Sequence, residues 1–309
     1  MRILITGGTG VVGRRLVNHL LKYGHPVVVV SRQEYKPADL PAKIAFAQWD
    51  GKTAAGWGHL VENVEAIVNL AGAGLADEKW TPDRKKVLLE SRVKAGRAVA
   101  EAISAAEKKP KVLIQASAVG YYGTQTDDQA ITEESPAGND FLAKLCQEWE
   151  ASSEAVEALG VRRVIIRSGV VLDARGGAFP RMSMPFRLFA GGPIGSGRQW
   201  FSWIHYIDEV EAIRFLIKNE NATGPVNLAA PHPLRNRAFA QAIGKVMKRP
   251  AFAPAPGFIF KIMFGEMSTV LLDGQRVIPK RLQELDFKFN FPKAEGALRD
   301  ILSRDKVGP

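Results

Sequence analysis

The sequence is poor in cysteine: Cys146 is the only one among 309 residues. A single cysteine excludes a disulfide within the chain and agrees with a reducing compartment. No run approaches the roughly 18 apolar residues that a membrane-spanning helix needs. The early run ILIT is too short for a secretory signal. We therefore expect a cytoplasmic protein without a membrane partner, in which Cys146 is a small buried hydrophobe on a helix.

Metal-binding and nucleic-acid-binding patterns are also missing. The five histidines show neither HxH nor HExxH spacing, so no metal site is predicted. The net charge is +10, but the basic residues are mixed with acids, as in PDRKKVLLESRVK, and no basic tract is interleaved with aromatics. We expect no nucleic-acid partner. The basic surplus suits an anionic small-molecule substrate better.

Short β-branched runs alternate with helical stretches over the first two-thirds of the chain. The apolar runs predict strands at 2–6, 26–31, 44–49, 65–71, 111–117 and 162–168, and the intervening segments predict helices at 11–23, 82–107 and 139–159. Gly160 is a plausible C-cap of the last helix. This alternation predicts an α/β fold, a Rossmann-type doubly wound parallel sheet.

The pattern changes beyond residue 175. GGAFPRM and GGPIGSGRQ are typical of loops, and later segments predict helices at 208–219, 235–247 and 292–302, a strand at 224–230 and a connector at 249–257. We predict an NADP(H)-binding Rossmann domain at 1–175, with a contribution from about 205–232. Residues 176–309 would form a smaller mixed α/β substrate-cleft region, including a small helical domain at about 250–302.

A glycine-rich turn follows the first predicted strand. The spacing Gly7-x-x-Gly10-x-x-Gly13 lies between a strand and a helix, which is the context that gives this motif meaning. The first glycine permits a tight turn, the middle one lets a pyrophosphate approach, and the third lets the helix lie against the strand. Amides at the helix start would attract the anion. The predicted contacts are therefore Gly7, Gly8, Thr9, Gly10, Val11, Val12 and Gly13.

The end of the second predicted strand indicates which dinucleotide binds. An NAD site usually has an acidic residue there, but this chain has Ser31 and Arg32. A guanidinium can hold a 2′-phosphate that a carboxylate would repel, so NADP(H) is favoured. In the alternative interpretation, Arg32 is a surface residue and Glu34 holds the ribose. Asp50 is placed to accept from the adenine amino group, although Asp-Gly is also an ordinary turn pair.

Several longer motifs resemble the extended short-chain dehydrogenase/reductase superfamily. The general likeness lies in TGGTGVVG, NLAG and ASAVGYYG; LCQEWE, IRSGVVLDARGG and GGPIGSGRQWFSWIHYID are similar to an atypical subgroup, the epimerase family proteins. LAAPHPLRN and VLLDGQRVIPKRL extend the likeness over nearly the whole chain, the last as a small carboxy-terminal domain. The resemblance implies a Rossmann fold and NADP(H) binding. Further predicted cofactor contacts are Leu70, Ala71, Gly72, Arg92, Ser117, Ser168 and Gly169.

The catalytic set typical of that superfamily is incomplete here. It consists of a serine after the fifth strand and a Tyr-x-x-x-Lys on the next helix, with the tyrosine as acid/base. Ser117 matches, but Phe141 and Leu145 stand near the tyrosine and lysine positions. Tyr121 and Tyr122 are candidate substitutes. They could instead pack on the sheet, and Ser117 could equally be structural.

Other side chains around the same cleft are open to a functional or a structural interpretation. Lys144, one residue from the lysine position, is expected on a solvated face of its helix. Arg92 could reach the cofactor phosphates or form a surface ion pair. Arg198, Trp203 and His205 are predicted to line the substrate cleft, with Trp200 as another stacking surface. For His205 and Asp208, hydrogen bonding or capping within the fold is the favoured interpretation.

Two functional hypotheses follow from these residues. The first is an NADP(H)-dependent oxidoreductase or nucleotide-sugar epimerase-like enzyme, with catalytic Ser117, Tyr121 and Tyr122. In that case a hydride would move to or from the nicotinamide beside Ser117. The second is a non-catalytic NADPH-binding regulatory module that acts through a protein partner, for example in cell division. The missing tyrosine and lysine are what such a module would show.

Overall fold

The computed structural model describes residues 1–124 and 128–304, so residues 305–309 of the predicted carboxy-terminal region lie outside the described part. Its strands are β1 (Ile3–Thr6), β2 (Val27–Ser31), β3 (Ala45–Gln48), β4 (Ala66–Asn69), β5 (Val112–Ala118), β6 (Ala130–Ile131), β7 (Arg162–Ser168), β8 (Val170–Leu172), β9 (Trp200–Phe201), β10 (Trp203–His205), β11 (Gly224–Leu228), β12 (Leu234–Arg235) and β13 (Arg276–Val277).

Seven of these strands form one sheet in the order β11-β7-β5-β4-β1-β2-β3. Every neighbouring pair is parallel, and Ile5 on β1 pairs with Val29 on one side and Val68 on the other. The chain leaves β1 in one direction and returns to build the other half, so the sheet reverses between β1 and β4. The predicted doubly wound Rossmann-type fold is confirmed. All six early strands and the late strand lie in this sheet.

The helices are α1 (Val11–Lys22), α2 (Pro82–Ala105), α3 (Phe141–Ala151), α4 (Phe179–Arg187), α5 (Tyr206–Lys218), α6 (Asn236–Met247), α7 (Gly257–Phe264), α8 (Thr269–Leu272), α9 (Lys280–Glu284) and α10 (Ala294–Arg304). The single helix predicted at 139–159 is wrong in its second half. There the Ser152 hydroxyl donates back to the Trp149 carbonyl at 2.6 Å, and Glu154–Leu159 continue as a 3₁₀ helix. Gly160 does end this segment, at φ 75°.

Alternate residues of each central strand face opposite layers, as the two-residue period of a strand requires. Ile3 and Ile5 pack in the core under α1 and α5, whereas Leu4 packs in the core under α2. All five residues of β2 are buried. Because both faces are covered, the strands read as continuous apolar runs rather than alternating ones.

A third core cluster holds the carboxy-terminal elements together. It contains Phe179 of α4, Trp203 of β10, Phe239 of α6 and Leu298 of α10. The start of α4 was expected to be a loop. Pro180 is tolerated there because it falls in the first turn, where a missing N–H costs nothing, and the helix also contains Pro185. No helix in the described ranges has both the length and the apolarity to cross a bilayer. The division into domains at residue 175 stays a prediction.

Candidate functional site

The turn between β1 and α1 leaves room that side chains would fill. Gly7 has φ +71°, and a Cβ there would lie 2.7 Å from the Leu70 carbonyl. A Cβ on Gly13 would lie 2.3 Å from the Gly7 carbonyl oxygen, so this glycine lets α1 start against the strand end. A Cβ on Gly8 would meet Val29 at 2.8 Å. The roles expected for Gly7 and Gly13 agree with this geometry.

The first amides of α1 precede its regular hydrogen bonding. The first helical bond runs from the Arg14 N–H to the Gly10 carbonyl at 2.9 Å, and Gly10 caps the helix without a side chain. The N–H groups of Val11, Val12 and Gly13 therefore point along the helix axis, where an anion is favoured. This is the cradle that a pyrophosphate needs.

A cleft of about 450 Å³ opens beside this turn along the carboxyl edge of the sheet. It brings together nine of the predicted cofactor contacts: Gly7, Thr9, Gly10, Ser31, Arg32, Asp50, Leu70, Ala71 and Gly72. They come from the ends of β1, β2, β3 and β4, which the parallel sheet places at one edge. Gly8, Val11, Val12 and Gly13 support the turn without lining the cleft.

Ser31 and Arg32, at the end of β2, both line the cleft. The Arg32 side chain crosses Gly51, since a Cβ there would be 3.0 Å from its Cδ. The Ser31 hydroxyl accepts from the Gln33 amide at 3.3 Å and lies 3.4 Å from the Thr9 hydroxyl. Lys52, which was not predicted from the sequence, also lines the cleft. Ser31, Arg32 and Lys52 thus give the cleft one hydroxyl donor and two cations.

Asp50 shapes a turn. Its Oδ1 accepts from the backbone amides of Lys52 and Thr53, at 2.7 and 2.9 Å, and its Oδ2 accepts from the Thr53 hydroxyl. The hydrogen bond from the Thr53 amide is the main cause that lowers the pKa of Asp50. The turn interpretation is therefore what the structure shows. A contact from Asp50 to adenine stays a prediction.

One face of α2 forms the wall of the cleft opposite Arg32. Val87, Glu90, Ser91 and Lys94 all line it. Glu90 and Lys94 pair with each other at 2.7 Å. None of these four residues was predicted from the sequence. Their spacing of three and four residues places them on one helical face, and that periodicity could have identified the face of α2 that lines the cleft.

Ser117 lies at the end of β5 within a buried polar network. Its hydroxyl donates to Glu150 Oε1 at 2.6 Å, and Arg167 donates a two-pronged contact to the same carboxylate at 2.8 Å from each of Nε and Nη2. Burial lowers the pKa of Arg167, but its hydrogen bonds to Glu150 outweigh that effect and raise it. The hydroxyl proton of Ser117 is thus committed to Glu150. Its predicted catalytic and cofactor contacts stay predictions.

The two tyrosines after Ser117 differ in environment. Tyr122 is fully buried; its hydroxyl donates to Asn227 at 2.7 Å and accepts from Arg167 at 3.0 Å. Burial raises the pKa of Tyr122 to about 12. The predicted catalytic role of Tyr122 is wrong for this conformation, because its hydroxyl cannot meet a substrate. Tyr121 is partly exposed and lies under Arg167, whose Cζ is 3.4 Å from the ring centroid.

Helix α3 confirms the loss of the usual acid/base pair. The Phe141 ring packs edge-on against Trp80 at 5.1 Å, and Leu145 is buried in the core. Lys144 is exposed, as its solvated-face interpretation predicted. Cys146 is buried, and burial raises the pKa of its thiol to about 12. None of these four side chains offers the proton transfer of the Tyr-x-x-x-Lys motif.

Arg92 is a buried cation without a carboxylate partner among the described residues. It is 6% exposed; Nη1 donates to the Leu88 carbonyl, Nε has no hydrogen-bond partner, and Cζ lies 4.9 Å from the Trp149 ring. Burial lowers the pKa of Arg92 to about 10. The guanidinium lies behind Gly72, where a Cβ would be 3.1 Å from Cζ. The expectation that Arg92 forms a surface ion pair is therefore wrong. A contact between Arg92 and the cofactor stays a prediction.

Ser168 and Gly169 have structural partners. The Ser168 hydroxyl donates to Glu209 at 2.7 Å, and burial raises the pKa of that carboxyl to about 8. A Cβ on Gly169 would lie 2.8 Å from the Ser202 carbonyl, so the glycine lets β8 approach β10. Neither residue lines the cleft beside the glycine turn. Their predicted cofactor contacts stay untested.

The predicted substrate-cleft residues are not brought together. Trp203 is fully buried in the carboxy-terminal core, and His205 is fully buried between Tyr206 and Phe291. His205 Nδ1 caps α5 by accepting from the Ile207 amide, and burial lowers the pKa of His205 to about 4. The cleft role of these two side chains is therefore wrong, because neither is accessible.

Of the remaining residues in that stretch, Arg198 is exposed and Asp208 is buried. Asp208 accepts from the Asn290 and Phe291 amides at 2.8 and 2.9 Å, which agrees with its structural interpretation. The face of Trp200 is covered by Arg235, 4.4 Å from the ring. No group of acidic, histidine or cysteine side chains within 1–124 and 128–304 is arranged to hold a metal ion.

Comparison with known proteins gives consistent matches over the whole chain. A model of the NAD dependent epimerase/dehydratase family matches residues 3–229, and a domain of unknown function, DUF1731, matches residues 255–301. The chain is 39% identical over 302 residues to an epimerase family protein of Staphylococcus aureus, covering 97% of this chain and 99% of that protein. It is 41% identical to the chloroplastic SDR39U1 homolog of Arabidopsis thaliana, covering 98% and 87%.

Solved structures agree with this assignment. The crystal structure of human epimerase family protein SDR39U1 (isoform 2) with NADPH matches with a TM-score of 0.90 and 35% identity, covering 98% of this chain and 99% of that one. The UDP-glucose 4-epimerase of Thermus thermophilus with NAD matches with a TM-score of 0.80 at 19% identity, over the full length of both chains. At that identity the second match supports the fold alone.

Proposed function

Because this chain belongs to the NAD dependent epimerase/dehydratase family, we propose that it binds NADP(H) in the cleft beside the glycine turn. The observation that carries the proposal is that Ser31, Arg32 and Lys52 all line that cleft, and that β2 ends on Ser31 and not on a carboxylate. The NADPH complex of the human relative supports the same phosphorylated cofactor. A dianionic 2′-phosphate is favoured by two cations and a hydroxyl donor.

The cleft fits the rest of a dinucleotide. Gly7 and Gly10 both line the cleft, and neither has a side chain that would stand between a pyrophosphate and the backbone. The N-terminus of α1 faces the same position. Leu70, Ala71 and Val87 supply apolar surface for the adenine. When bound, the cofactor would supply or accept a hydride.

Cofactor binding can be tested by isothermal titration calorimetry with NADPH and NADH. Arg32→Glu removes a cation and adds a repelling carboxylate, so we expect NADPH affinity to fall roughly 100-fold. NADH affinity should change by less than about threefold, because NADH lacks the 2′-phosphate. Arg97→Glu, an exposed change on α2, is the charge-matched control. Equal weakening of both cofactors by Arg32→Glu would refute the assignment.

We further propose that the bound chain acts as an oxidoreductase or epimerase-like enzyme on a small anionic substrate. Tyr121 is the phenol after Ser117 that remains partly exposed, and the Arg167 guanidinium over its ring fixes the position of that ring. Ser117 retains lone pairs with which to accept a hydrogen bond. Tyr121 is therefore the proposed proton donor or acceptor.

A non-catalytic NADPH-binding module is the second candidate. The packing of Phe141 against Trp80, the buried Leu145 and the commitment of Ser117 to Glu150 favour it. The two candidates separate when purified protein and NADPH are mixed with a panel of carbonyl compounds and of nucleotide sugars. Turnover that is lost in Tyr121→Phe, with NADPH affinity retained, supports the enzyme. Tight NADPH binding without turnover of any compound supports the module.

A further inference from the structure

Exposed apolar side chains concentrate in two segments of the carboxy-terminal region. Among the described residues, 14 large apolar side chains are exposed, and nine of them lie within 184–189 and 252–270. Phe252 is 79% exposed, Ile262 74% and Leu188 67%. Isolated exposed apolar residues are ordinary, but a contiguous group marks an interaction surface. We call the exposed apolar side chains of these two segments the apolar face.

Helix α7 (Gly257–Phe264) is the main part of the apolar face. Its sequence is GFIFKIMF, and none of its residues is buried. Phe258, Ile259, Ile262 and Met263 are exposed, and their spacing places them within one arc of about 140° of the helix surface. The partly buried Phe260 and Phe264 stack on each other on the opposite side, 6.2 Å apart. The helix is thus apolar on both sides.

Backbone hydrogen bonds join the two segments. The Ala253 amide donates to the Gly191 carbonyl at 3.2 Å, and the Ala255 amide donates to the Pro193 carbonyl at 2.9 Å. Arg249 lies over the Phe189 ring, with Cζ 4.3 Å from its centroid. The end of α4 and the start of α7 therefore belong to one continuous surface.

The charges around the apolar face are mostly basic, although Asp273 lies close enough to Lys261 for the two charges to interact. Residues 179–190 contain two arginines and no acid, and residues 245–272 contain Lys245, Lys248, Arg249 and Lys261 against Glu266 alone. Glu266 is paired with Lys85. Lys261 flanks the exposed arc of α7. Exposed apolar side chains with cations beside them present to an anionic interface both of the contacts that it favours, apolar burial and charge attraction.

We propose that the apolar face docks on an anionic phospholipid surface, with α7 lying in the interface. Its apolar side chains would enter the boundary between headgroups and acyl chains, and Lys261 and Arg249 would contact the phosphates. Such docking requires no spanning helix. It departs from the expectation of a protein without a membrane partner, which considered only spanning segments.

The charges and the shape of the surface favour lipid over other occupants. A second copy of the chain seated on the same face would bring a second set of Lys248, Arg249 and Lys261 into the contact, and like charges at a contact are destabilising. The exposed arc of α7 is open to solvent, with Phe258 64% and Ile262 74% exposed. A protein partner would need a surface that matches these side chains, whereas a lipid interface adapts to their shape.

Co-sedimentation with vesicles tests the proposal. We expect the full chain to bind vesicles of phosphatidylcholine with phosphatidylglycerol and to bind pure phosphatidylcholine much more weakly. Ile262→Glu should lower the partition coefficient at least about tenfold, because it puts a charge in place of an apolar side chain that would enter the interface on docking. Lys261→Glu should lower it by about fivefold or more at low salt. Tyr35→Glu changes a side chain that is 76% exposed outside the apolar face, and it should have no effect.

The thermal midpoint of each variant should stay near that of the parent chain, because all three side chains are exposed. Binding that is lost in Ile262→Glu and kept in Tyr35→Glu supports the proposal. Absence of binding to anionic vesicles overturns it, as does binding that Ile262→Glu leaves unchanged. A dimer that light scattering detects in the parent chain and not in Ile262→Glu also overturns it, since the face would then join two copies.

Discussion

Replacing Gly13 by alanine tests whether the glycine turn is held by close backbone contact. The new Cβ would lie 2.3 Å from the Gly7 carbonyl oxygen and 2.7 Å from the Gly8 Cα. Both neighbours are backbone atoms, and Gly7 is fixed at φ +71° between β1 and the Leu70 carbonyl. The start of α1 must therefore move away from the turn, which displaces the amides of Val11 and Val12.

The expected size of the effect comes from two opposed contributions. Alanine favours a helix over glycine by roughly 0.5–1 kcal/mol. Forcing a methyl group into packed backbone costs about 1–3 kcal/mol, or more where the neighbours cannot move. We expect the free energy of unfolding to fall by about 1–2 kcal/mol in urea titrations. NADPH affinity, measured by calorimetry, should fall at least about tenfold, because the displaced amides no longer converge on the pyrophosphate.

Gly296 provides the matched control. It also lies in a helix, α10, but a Cβ there meets no atom within 4 Å. Gly296→Ala should therefore raise stability by about 0.5–1 kcal/mol and leave NADPH affinity unchanged. If Gly13→Ala proved as stable as Gly296→Ala and bound NADPH like the parent chain, the account of the turn would be refuted.

Three further substitutions probe buried charges. Glu150→Gln leaves Arg167 buried without its counter-ion, so the free energy of unfolding, measured by urea titration, should fall by about 3–5 kcal/mol. As a control, Glu284→Gln at an exposed ion pair should change that free energy by less than about 1 kcal/mol. Arg92→Met removes a buried cation without a counter-ion, so stability should hold or rise while NADPH affinity falls; unchanged affinity would make Arg92 purely structural. Burial raises the pKa of Glu209 to about 8 from 4.5, so the folded chain keeps a proton that the unfolded chain releases, and stability should fall as pH rises from about 5 to 8. Glu209→Gln should lose less stability over that range; parallel pH curves would contradict this.

The sequence by itself determined the sheet and the cofactor end of the cleft. Continuous apolar runs such as VVVVS mark strands covered on both sides, and their alternation with helices leaves few topologies other than a doubly wound sheet. The positions of the glycine turn and of Arg32 in the cleft could be predicted from the sequence. A tight turn, and the residue that follows β2, depend on only a few neighbouring residues. The break in the helix predicted at 139–159 could not be predicted from the sequence, because it depends on the hydrogen bond that the Ser152 hydroxyl donates to the Trp149 carbonyl.

Only the tertiary structure decided what the polar residues of the cleft region do. Ser117 and Tyr122 were predicted as catalytic groups from their position in the sequence. In the structure the Ser117 hydroxyl donates to Glu150, 33 residues away, and the Tyr122 hydroxyl donates to Asn227, 105 residues away. Trp203 and His205 turned inward because α10 and Phe291 cover them. Periodicity reports which positions are apolar or face one side, whereas hydrogen-bond partners and exposure depend on which distant segments meet. For this reason the fold could be predicted from the sequence, whereas the roles of its buried polar groups could not.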